Sequence, residues 1–413
     1  MMKRKAKKNE NLWLTLPAMA FLASAFFLLA LRDFSIQSFV MALVTPLAFF
    51  AATVIFPRIF PADRLLLNLV NFLCALGVLT LYRLNPGMGL NQAVNYLFGL
   101  AGMVVCLLYV RFWPRLKWTL PFIALAALVL MALPILIGTE KNGAKAWISL
   151  AGFNFQPSEI VKIALLVILC SLLSLRKALL SLLFSGACLG LLMLQKDLGT
   201  ALLYYAITLI LVFSATGSLT FLLAGAAGAM GGAYIGYHLF SHVKRRVAIW
   251  IDPWKDYKGA GYQVVQSLVA MANGGLWGTG LGLGNARVIP EVESDFIFSA
   301  ILNEFGVIFG LCVVLIYILI FLRGISVAMR SHTKFHTLLA LGCSCLIALQ
   351  TFVIIGGNIK LIPLTGVTLP FISHGGTSLV SSLCIMGLLQ GVAHVNELGI
   401  REDQMIAQLG EDT

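Results

Sequence analysis

Charge is what this chain has least of. Only 11% of its 413 residues are charged and 60% are hydrophobic, against roughly 25% charged in soluble domains. Mean hydropathy is +0.94, which excludes both a soluble globular domain and a disordered chain. Acids are scarcer than bases, 17 against 29. The net charge of +12 suits retention of basic termini by anionic lipid or recognition of an anionic substrate. Its basic residues are scattered over many loops and form no stripe, which argues against nucleic-acid binding. The eight cysteines, at positions 74, 106, 170, 188, 312, 343, 345 and 384, all sit inside apolar runs. None has the spacing of a zinc or redox site, so they read as small packing residues. The histidines lack ligand spacing as well, and no metal ligand is assigned. The first apolar run has no small-residue cleavage site and is followed by Arg32-Asp33 and a second run, so it is expected to stay as an anchor.

What the chain does have is long apolar runs near the ~20 residues that cross a bilayer. They fall at 14–31, 38–56, 66–82, 94–110, 118–137, 157–175, 178–194, 198–213, 219–238, 298–322, 337–355 and 377–394. The expected fold is therefore all-α: a polytopic transmembrane helical bundle of about twelve spans. Its segments are a basic cytoplasmic N-terminus (1–12), two N-terminal spans (13–65), a first part of the membrane core (66–240), a large extracytoplasmic loop (241–297), the C-terminal spans (298–396) and a cytoplasmic tail (397–413). Short cytoplasmic loops carry the excess of lysine and arginine. Starting the basic N-terminus inside puts Arg58, Arg64, Arg111, Arg115, Lys117, Arg176, Lys177, Arg323, Arg330 and Lys334 inside too, with both termini cytoplasmic. The loop 241–297 then lies outside, with Lys145, Lys196 and Lys360.

With so few acids, each can be asked what it does. Those in the tails and in short loops are solvated. Glu159, Asp197, Asp252, Asp256, Glu291, Glu293, Asp295 and Glu304 remain, all at span ends or in the large loop. Pro157 and Glu159 suit a helix start, and Glu159 shares a face with Lys162. The pair is either a stabilising contact at the helix entrance or a cavity-facing group, and both can hold, because charge within a membrane is costly and usually faces the interior. Asp197 reads as an N-cap, and Lys196 beside it as a receiver for a pyrophosphate or carboxylate. Gln263, Gln266 and Ser267 suit one amphipathic turn offering hydrogen bonds to sugar hydroxyls. The glycines between 274 and 284 have no strand and helix flanking them as a dinucleotide loop requires, and read as a flexible loop that exposes backbone. Asp295 stands where water, lipid and protein meet. There a carboxylate can take a proton from a polar group whose apolar tail stays in the bilayer, although an N-cap for the next span would also account for it.

Several motifs occur in order: Gln156-Pro157-Ser158-Glu159, the run 195–200 (QKDLGT), the run 261–267 (GYQVVQS), Ser294-Asp295-Phe296, the run 358–366 (NIKLIPLTG) and the run 369–378 with Ser373-His374. Together they resemble the SEDS family of cell-shape, division and sporulation proteins (RodA, FtsW, SpoVE), over roughly 81–398. The two spans before residue 66 stand as additions to the family's usual ten. The resemblance implies a peptidoglycan glycosyltransferase that polymerises lipid II outside the bacterial cytoplasmic membrane beside a class B penicillin-binding protein. It also implies that Asp295 is the essential acid. The chain departs from the family at Ala146, where an arginine is usual (Lys145 precedes it), and at Lys196 for proline, His374 for tyrosine and Asn303 for the first of two glutamates, Glu304 being the second.

In that reading a donor α-linked to pyrophosphate gives a β-linked polymer by one inverting displacement, for which one base suffices. Asp295 is the expected base, with its pKa raised by partial burial or by Glu293 or Glu304. Lys145, Lys162, Lys196, Arg287, Lys360 or a bound Mg²⁺ or Mn²⁺ ion would receive the leaving charge. The substrate-binding residues expected are Lys145, Glu159, Lys162, Lys196, Gln263, Gln266, Ser267, Glu304, Lys360, Ser373 and His374. The rival readings are a lipid II flippase or other transporter of lipid-linked substrates and a non-enzymatic scaffold for the penicillin-binding protein.

Overall fold

The structure, a computed structural model, describes residues 2–60, 62–141, 143–150 and 153–411, with side chains described except in 2–14, 33, 141, 150, 153–154 and 401–411. Asn142, before Lys145, lies outside the described residues, as do the side chains of the basic run 3–8 and of Glu402, Asp403, Glu411 and Asp412 in the C-terminal tail.

In chain order the helices are α1 (Met2–Asp33), α2 (Ile36–Phe50), α3 (Phe56–Ile59), α4 (Arg64–Leu84), α5 (Pro86–Arg111), α6 (Trp113–Leu116), α7 (Leu120–Ile137), α8 (Pro157–Ser174), α9 (Ala178–Leu194), α10 (Leu198–Thr216), α11 (Leu219–Leu239), α12 (Ser241–Ile251), α13 (Tyr262–Gly274), α14 (Ile297–Met329), α15 (Lys334–Asn358) and α16 (Gly376–Glu411). A π-helical turn at Ala51–Ile55 joins α2 to α3. All twelve apolar runs are helical. Among the described residues eleven helical segments are long and apolar enough to cross a membrane, and α9, with 17 residues, is the short twelfth.

Starts and stops follow local chemistry. Asp63, Asp197, Ser218 and Thr333 each accept a bond from a first-turn N–H, of Leu66, Thr200, Phe221 and His336, satisfying donors that the helix cannot use itself. Pro86 and Pro157 occupy first turns, where a missing N–H costs nothing. Gly217, at φ +69°, ends α10 in the left-handed region. Helices α4, α8, α15 and α16 are the most enclosed. By contrast, α11 buries only Gly236.

One element differs from the expected all-helical pattern. Residues 139–155 form an antiparallel sheet of order β1 (Thr139–Lys141), β2 (Ala144–Leu150), β3 (Phe153–Phe155), with Ile148 opposite Phe155. Strand β2 alternates: Ala146 and Ile148 are buried while Ser149 is exposed, a period of two that suits a half-covered strand. The run is too short and too polar to register in a reading tuned to bilayer-length segments.

The glycine-rich segment 274–284 also departs from expectation. It is packed, not free. Helix α14 breaks at Gly306 (φ 83°, ψ 172°), and the segment supplies partners to the freed backbone. Thr279 N donates to Asn303 O at 3.0 Å, Gly280 N to Glu304 O at 3.0 Å, and Val307 N to Gly275 O at 3.0 Å. Irregular backbone at such depth persists only where protein satisfies it. Gly278 (φ +83°) faces that backbone so closely that a methyl group there would lie 2.2 Å from Glu304 O.

The turns after α4, α7, α9, α11 and α15 gather at one end of the bundle with the segment 252–296. Ties across that end run from Arg83 Nη2 to Gly282 O (2.7 Å), Lys145 N to Gln195 O (2.9 Å) and Trp250 Nε1 to Lys360 O (3.1 Å). The opposite end is held by Arg323 Nε to Asp63 Oδ2 (2.7 Å), Lys334 Nζ to Ala215 O (3.0 Å) and Asn396 Nδ2 to Val327 O (3.0 Å).

Close packing of α5 on α16 depends on Gly387, where a Cβ would lie 2.4 Å from Met103 O. Overpacking of this kind costs about 1–3 kcal/mol. Gly387→Val is expected to lower the thermal unfolding midpoint of the detergent-purified protein. Gly190→Ala, with nothing within 4 Å of the added methyl, is expected to leave the midpoint unchanged or slightly raised.

Candidate functional site

Asp295 lies in the turn just before α14, and three bonds from other elements fix that turn. Asn358 Nδ2, at the end of α15, donates to Asp295 O at 2.7 Å. Ser373 Oγ donates to Ser294 O at 2.6 Å, and His374 N donates to Glu293 O at 2.8 Å. Ser373 is buried and its hydroxyl also accepts from Leu369 N at 2.9 Å. Behind Asn358 the chain of bonds continues: Ser299 Oγ to Asn358 Oδ1 at 3.1 Å, then Ser267 Oγ with Ser299 Oγ at 2.7 Å. With these carbonyls satisfied, Asp295 is held as a part-exposed residue whose carboxyl group is enclosed by protein.

Burial is the main cause of a pKa pushed up to about 6 for Asp295. Glu291 and Glu293 add to the rise, while the Ser294 hydroxyl and Arg246 oppose it. At neutral pH the group is mostly ionised, yet more basic than a free carboxylate. His374 is pushed down from the usual imidazole range by burial, and its Nδ1 is a buried polar atom with no hydrogen-bond partner within the chain.

Arg246 is the residue that the sequence reading missed. Helix α12 turns Val243, Arg246, Val247 and Trp250 onto its half-buried face and leaves Lys244, Arg245 and Ala248 exposed. Arg246 Nη1 donates to Thr365 O at 2.7 Å. Gly366, at φ +76°, is exposed, and a methyl group there would lie 3.5 Å from Arg246 Nη2 and 3.7 Å from Asp295 Oδ2. The guanidinium and the carboxylate thus flank one open gap floored by a glycine. A signal was present, since the 243, 246, 247, 250 spacing is that of a helix face, but three consecutive basic residues looked alike without the helical phase.

Other expected contacts are engaged elsewhere. Ser267 is fully buried against Ser299. It stands one residue, about 100° of helical turn, from the half-exposed Gln266 and one full turn below Gln263, and its hydroxyl is bonded into the chain that holds the Asp295 turn. Glu159 and Lys162 form a buried pair at 2.9 Å, with Ser381 Oγ on Glu159 Oε2 at 2.6 Å and Lys162 Nζ on Gln350 Oε1 at 3.1 Å. Both readings of that pair hold, since it is an interior network near a helix start. Glu304 pairs with Arg83 at 3.0 Å and accepts from Gly282 N at 3.1 Å. It therefore braces the glycine segment, to which Arg32 of α1 also donates through Gly282 O. Lys145 Nζ donates to Ile135 O at 2.8 Å and Lys360 Nζ to Ile251 O at 3.3 Å, each a cation at a helix C-terminus as the dipole favours. Arg287 Nη2 donates to Arg83 O at 2.6 Å. Lys196 is exposed, at φ +60°. Asp197 caps α10 and accepts from Gln156 Nε2 at 2.8 Å, and burial raises its pKa. Among the described residues no three His, Cys, Asp or Glu side chains converge as a metal cage. An apolar cavity of about 330 Å³ between α9, α10 and α11, lined by Leu182, Leu189, Tyr205 and Phe221 among others, includes none of these groups.

Fold and site together define a multi-pass helical membrane protein with a carboxylate and a guanidinium at one end of the bundle. The family model of the FtsW/RodA/SpoVE cell cycle proteins matches residues 56–398. The chain belongs to that family, and α1, α2 and the π-helical turn precede the matched region. It is 33% identical over 370 residues to the peptidoglycan glycosyltransferase RodA of Mycobacterium tuberculosis, covering 80% of this chain and 78% of that protein. To the stage V sporulation protein E of Bacillus subtilis it is 33% identical over 301 residues, covering 69% and 81%. Among solved structures it resembles a chain from a peptidoglycan synthase complex that coordinates polymerization and crosslinking (TM-score 0.67, 27% identity, 81% of this chain and 98% of that one). It also resembles the rod shape determining protein RodA of Thermus thermophilus (TM-score 0.59, 26% identity, 82% and 99%).

Removing one member of a buried ion pair costs about 3–5 kcal/mol, while replacing both is often near neutral. Lys162→Met is accordingly expected to destabilise the purified protein strongly, and Glu159→Gln combined with Lys162→Met to recover most of the loss. Thermal unfolding of the two variants side by side checks this.

Proposed function

We propose that this chain is a peptidoglycan glycosyltransferase that polymerises lipid II at the outer face of the bacterial cytoplasmic membrane, with Asp295 as the base. The observation that carries the reading is a carboxyl group raised to about 6 by burial, on a part-exposed residue whose turn is held by Asn358 and Ser373. The names and family of the relatives support the same reaction class. Orientation is supported by charge: Arg58, Arg64, Arg323 and Lys334 belong to the end opposite Asp295, as cytoplasmic loops require.

The step balances with one base. Asp295 takes the proton of the acceptor sugar hydroxyl. The oxygen lone pair forms the new bond to the donor's anomeric carbon, and the bond from that carbon to the pyrophosphate oxygen breaks with its electron pair on the departing pyrophosphate. Attack from the face opposite the leaving group converts an α-linked donor to a β-linked product. The donor's polyprenyl tail stays in lipid beside a bundle whose outward surface is apolar. Gln263, Gln266 and His374 are the polar side chains we assign to the sugars. Among the described residues no cluster of side chains forms a cage for a divalent cation; a Mg²⁺ or Mn²⁺ ion would take its ligands from the donor's own phosphates. The crosslinking partner we assign is a class B penicillin-binding protein, by analogy with the synthase complex. The process served is elongation, division or sporulation.

Purified full-length protein given lipid II is expected to make polymer. Asp295→Ala and Asp295→Asn should each reduce the rate roughly 10²–10⁴-fold. Translocation without polymer would instead make this a carrier, and neither activity without a partner would make it a scaffold. Because the ionised form is the base, the rate should rise with pH through about 6 and level off above it. An acidic limb near the free carboxylate value of about 3.9 would remove Asp295 from this role.

A further inference from the structure

The geometry points to Arg246 as the group that receives the departing diphosphate, an assignment that rests on the polymerase reading above. Four of the five cations expected from sequence for this task are committed to protein atoms: Lys162 to Glu159, Lys145 and Lys360 to helix-end carbonyls, Arg287 to Arg83 O. Arg246 is placed differently. Its Nη1 is held by Thr365 O, while Nη2 and Asp295 Oδ2 both lie within 4 Å of the space that a side chain at the exposed Gly366 would occupy.

That arrangement brings together the two groups a displacement of diphosphate requires. A base to accept the acceptor's proton and a cation to receive the leaving oxygens stand near one exposed position. Arginine presents a rigid planar set of donors matched to phosphate oxygens. The glycine matters to the argument, because a side chain at 366 would fill the gap and would be strained at φ +76°. Thr365 Oγ1, beside the anchoring carbonyl, is a buried oxygen with no hydrogen-bond partner within the chain, and such groups ordinarily find one in water or ligand. Positive charge extends past Arg246. His242, one turn earlier on α12, is lowered by burial first and then by both Arg246 and Lys196, so the exposed Lys196 adds to the field on the same side.

The departing group carries more charge than the bound donor, so a fixed guanidinium stabilises the transition state more than the ground state. Arg246→Gln keeps a donor for Thr365 O and removes the charge. It is expected to lower the polymerisation rate roughly 10²–10³-fold, with Arg246→Lys recovering part of it. The acidic limb of the Arg246→Gln pH profile should move upward, because Arg246 draws the Asp295 pKa down; loss of packing alone would not move it.

Direct binding of a polyprenyl diphosphate against the polyprenyl alcohol of equal length, measured on the purified full chain, separates this assignment from the reaction itself. Wild type should prefer the diphosphate, and Arg246→Gln should lose tenfold or more of that preference. If wild type makes polymer and Arg246→Gln retains both the preference and the rate, the assignment is overturned. If wild type makes no polymer while the preference depends on Arg246, the anion site stands and the polymerase reading falls. Should Arg246→Gln not fold, Arg246→Lys carries the test. A wild-type rate and an unmoved binding preference in that variant, where a flexible point charge replaces the planar fork, would overturn the assignment.

Discussion

A single turn, residues 293–295, has its carbonyls claimed by groups from other parts of the chain, and the site depends on that constraint. Asn358 brings the end of α15, and Ser373 and His374 bring the segment before α16. A buried carbonyl without a partner costs free energy comparable to a lost hydrogen bond, so each of these contacts is needed for the turn to remain where it is. The consequence is positional. An aspartate on a free loop would sample water and keep an ordinary carboxylate pKa, whereas this one is held against protein with limited exposure. Its basicity is raised by the same burial that restrains it.

Rigidity reaches the turn from the other side through α14. The break at Gly306 would leave polar backbone exposed in an apolar environment, and the glycine segment 274–284 supplies the missing partners. Arg83 and Glu304 then lock that segment, with Arg32 of α1 added to the same carbonyl, Gly282 O. The family match begins at residue 56, and α1, outside it, is joined to the matched bundle by Phe26 against Tyr82 and Phe21 against Phe72 and Phe305 as well as by the Arg32 contact.

Fold class could be read from the chain because it rests on long-range regularity: twelve apolar runs separated by basic or glycine-bearing turns leave little choice in a bilayer. Asp295 was equally accessible, being an acid at the lip of a run and inside a recognisable motif. Individual contacts were not. Ser267 sits beside two glutamines in sequence, yet helical phase points it at Ser299. Lys145 and Lys360 carry the right charge and end on carbonyls of helices that only the fold brings near. The sheet at 139–155 escaped a search for bilayer-length segments. In each case the deciding quantity is direction, which composition and spacing do not contain.

The scarcity of charge now has a physical sense. In an apolar bundle an ionised group must be paired, capped or functional. Glu159, Glu304 and Asp63 are paired with Lys162, Arg83 and Arg323, and Asp197 is bonded by Thr200 and Gln156. Lys145 and Lys360 cap helix ends. Asp295 and Arg246 fall in neither group. Asp295 has its turn held by Asn358, Ser373 and His374 and Arg246 has one nitrogen on Thr365 O, while the charged ends of both lie near the exposed Gly366 without forming an ion pair. Collapse into a direct ion pair would lower the carboxylate's basicity and occupy the guanidinium. Keeping them unpaired, beside a residue that has no side chain to fill the space next to both, preserves both properties at one place.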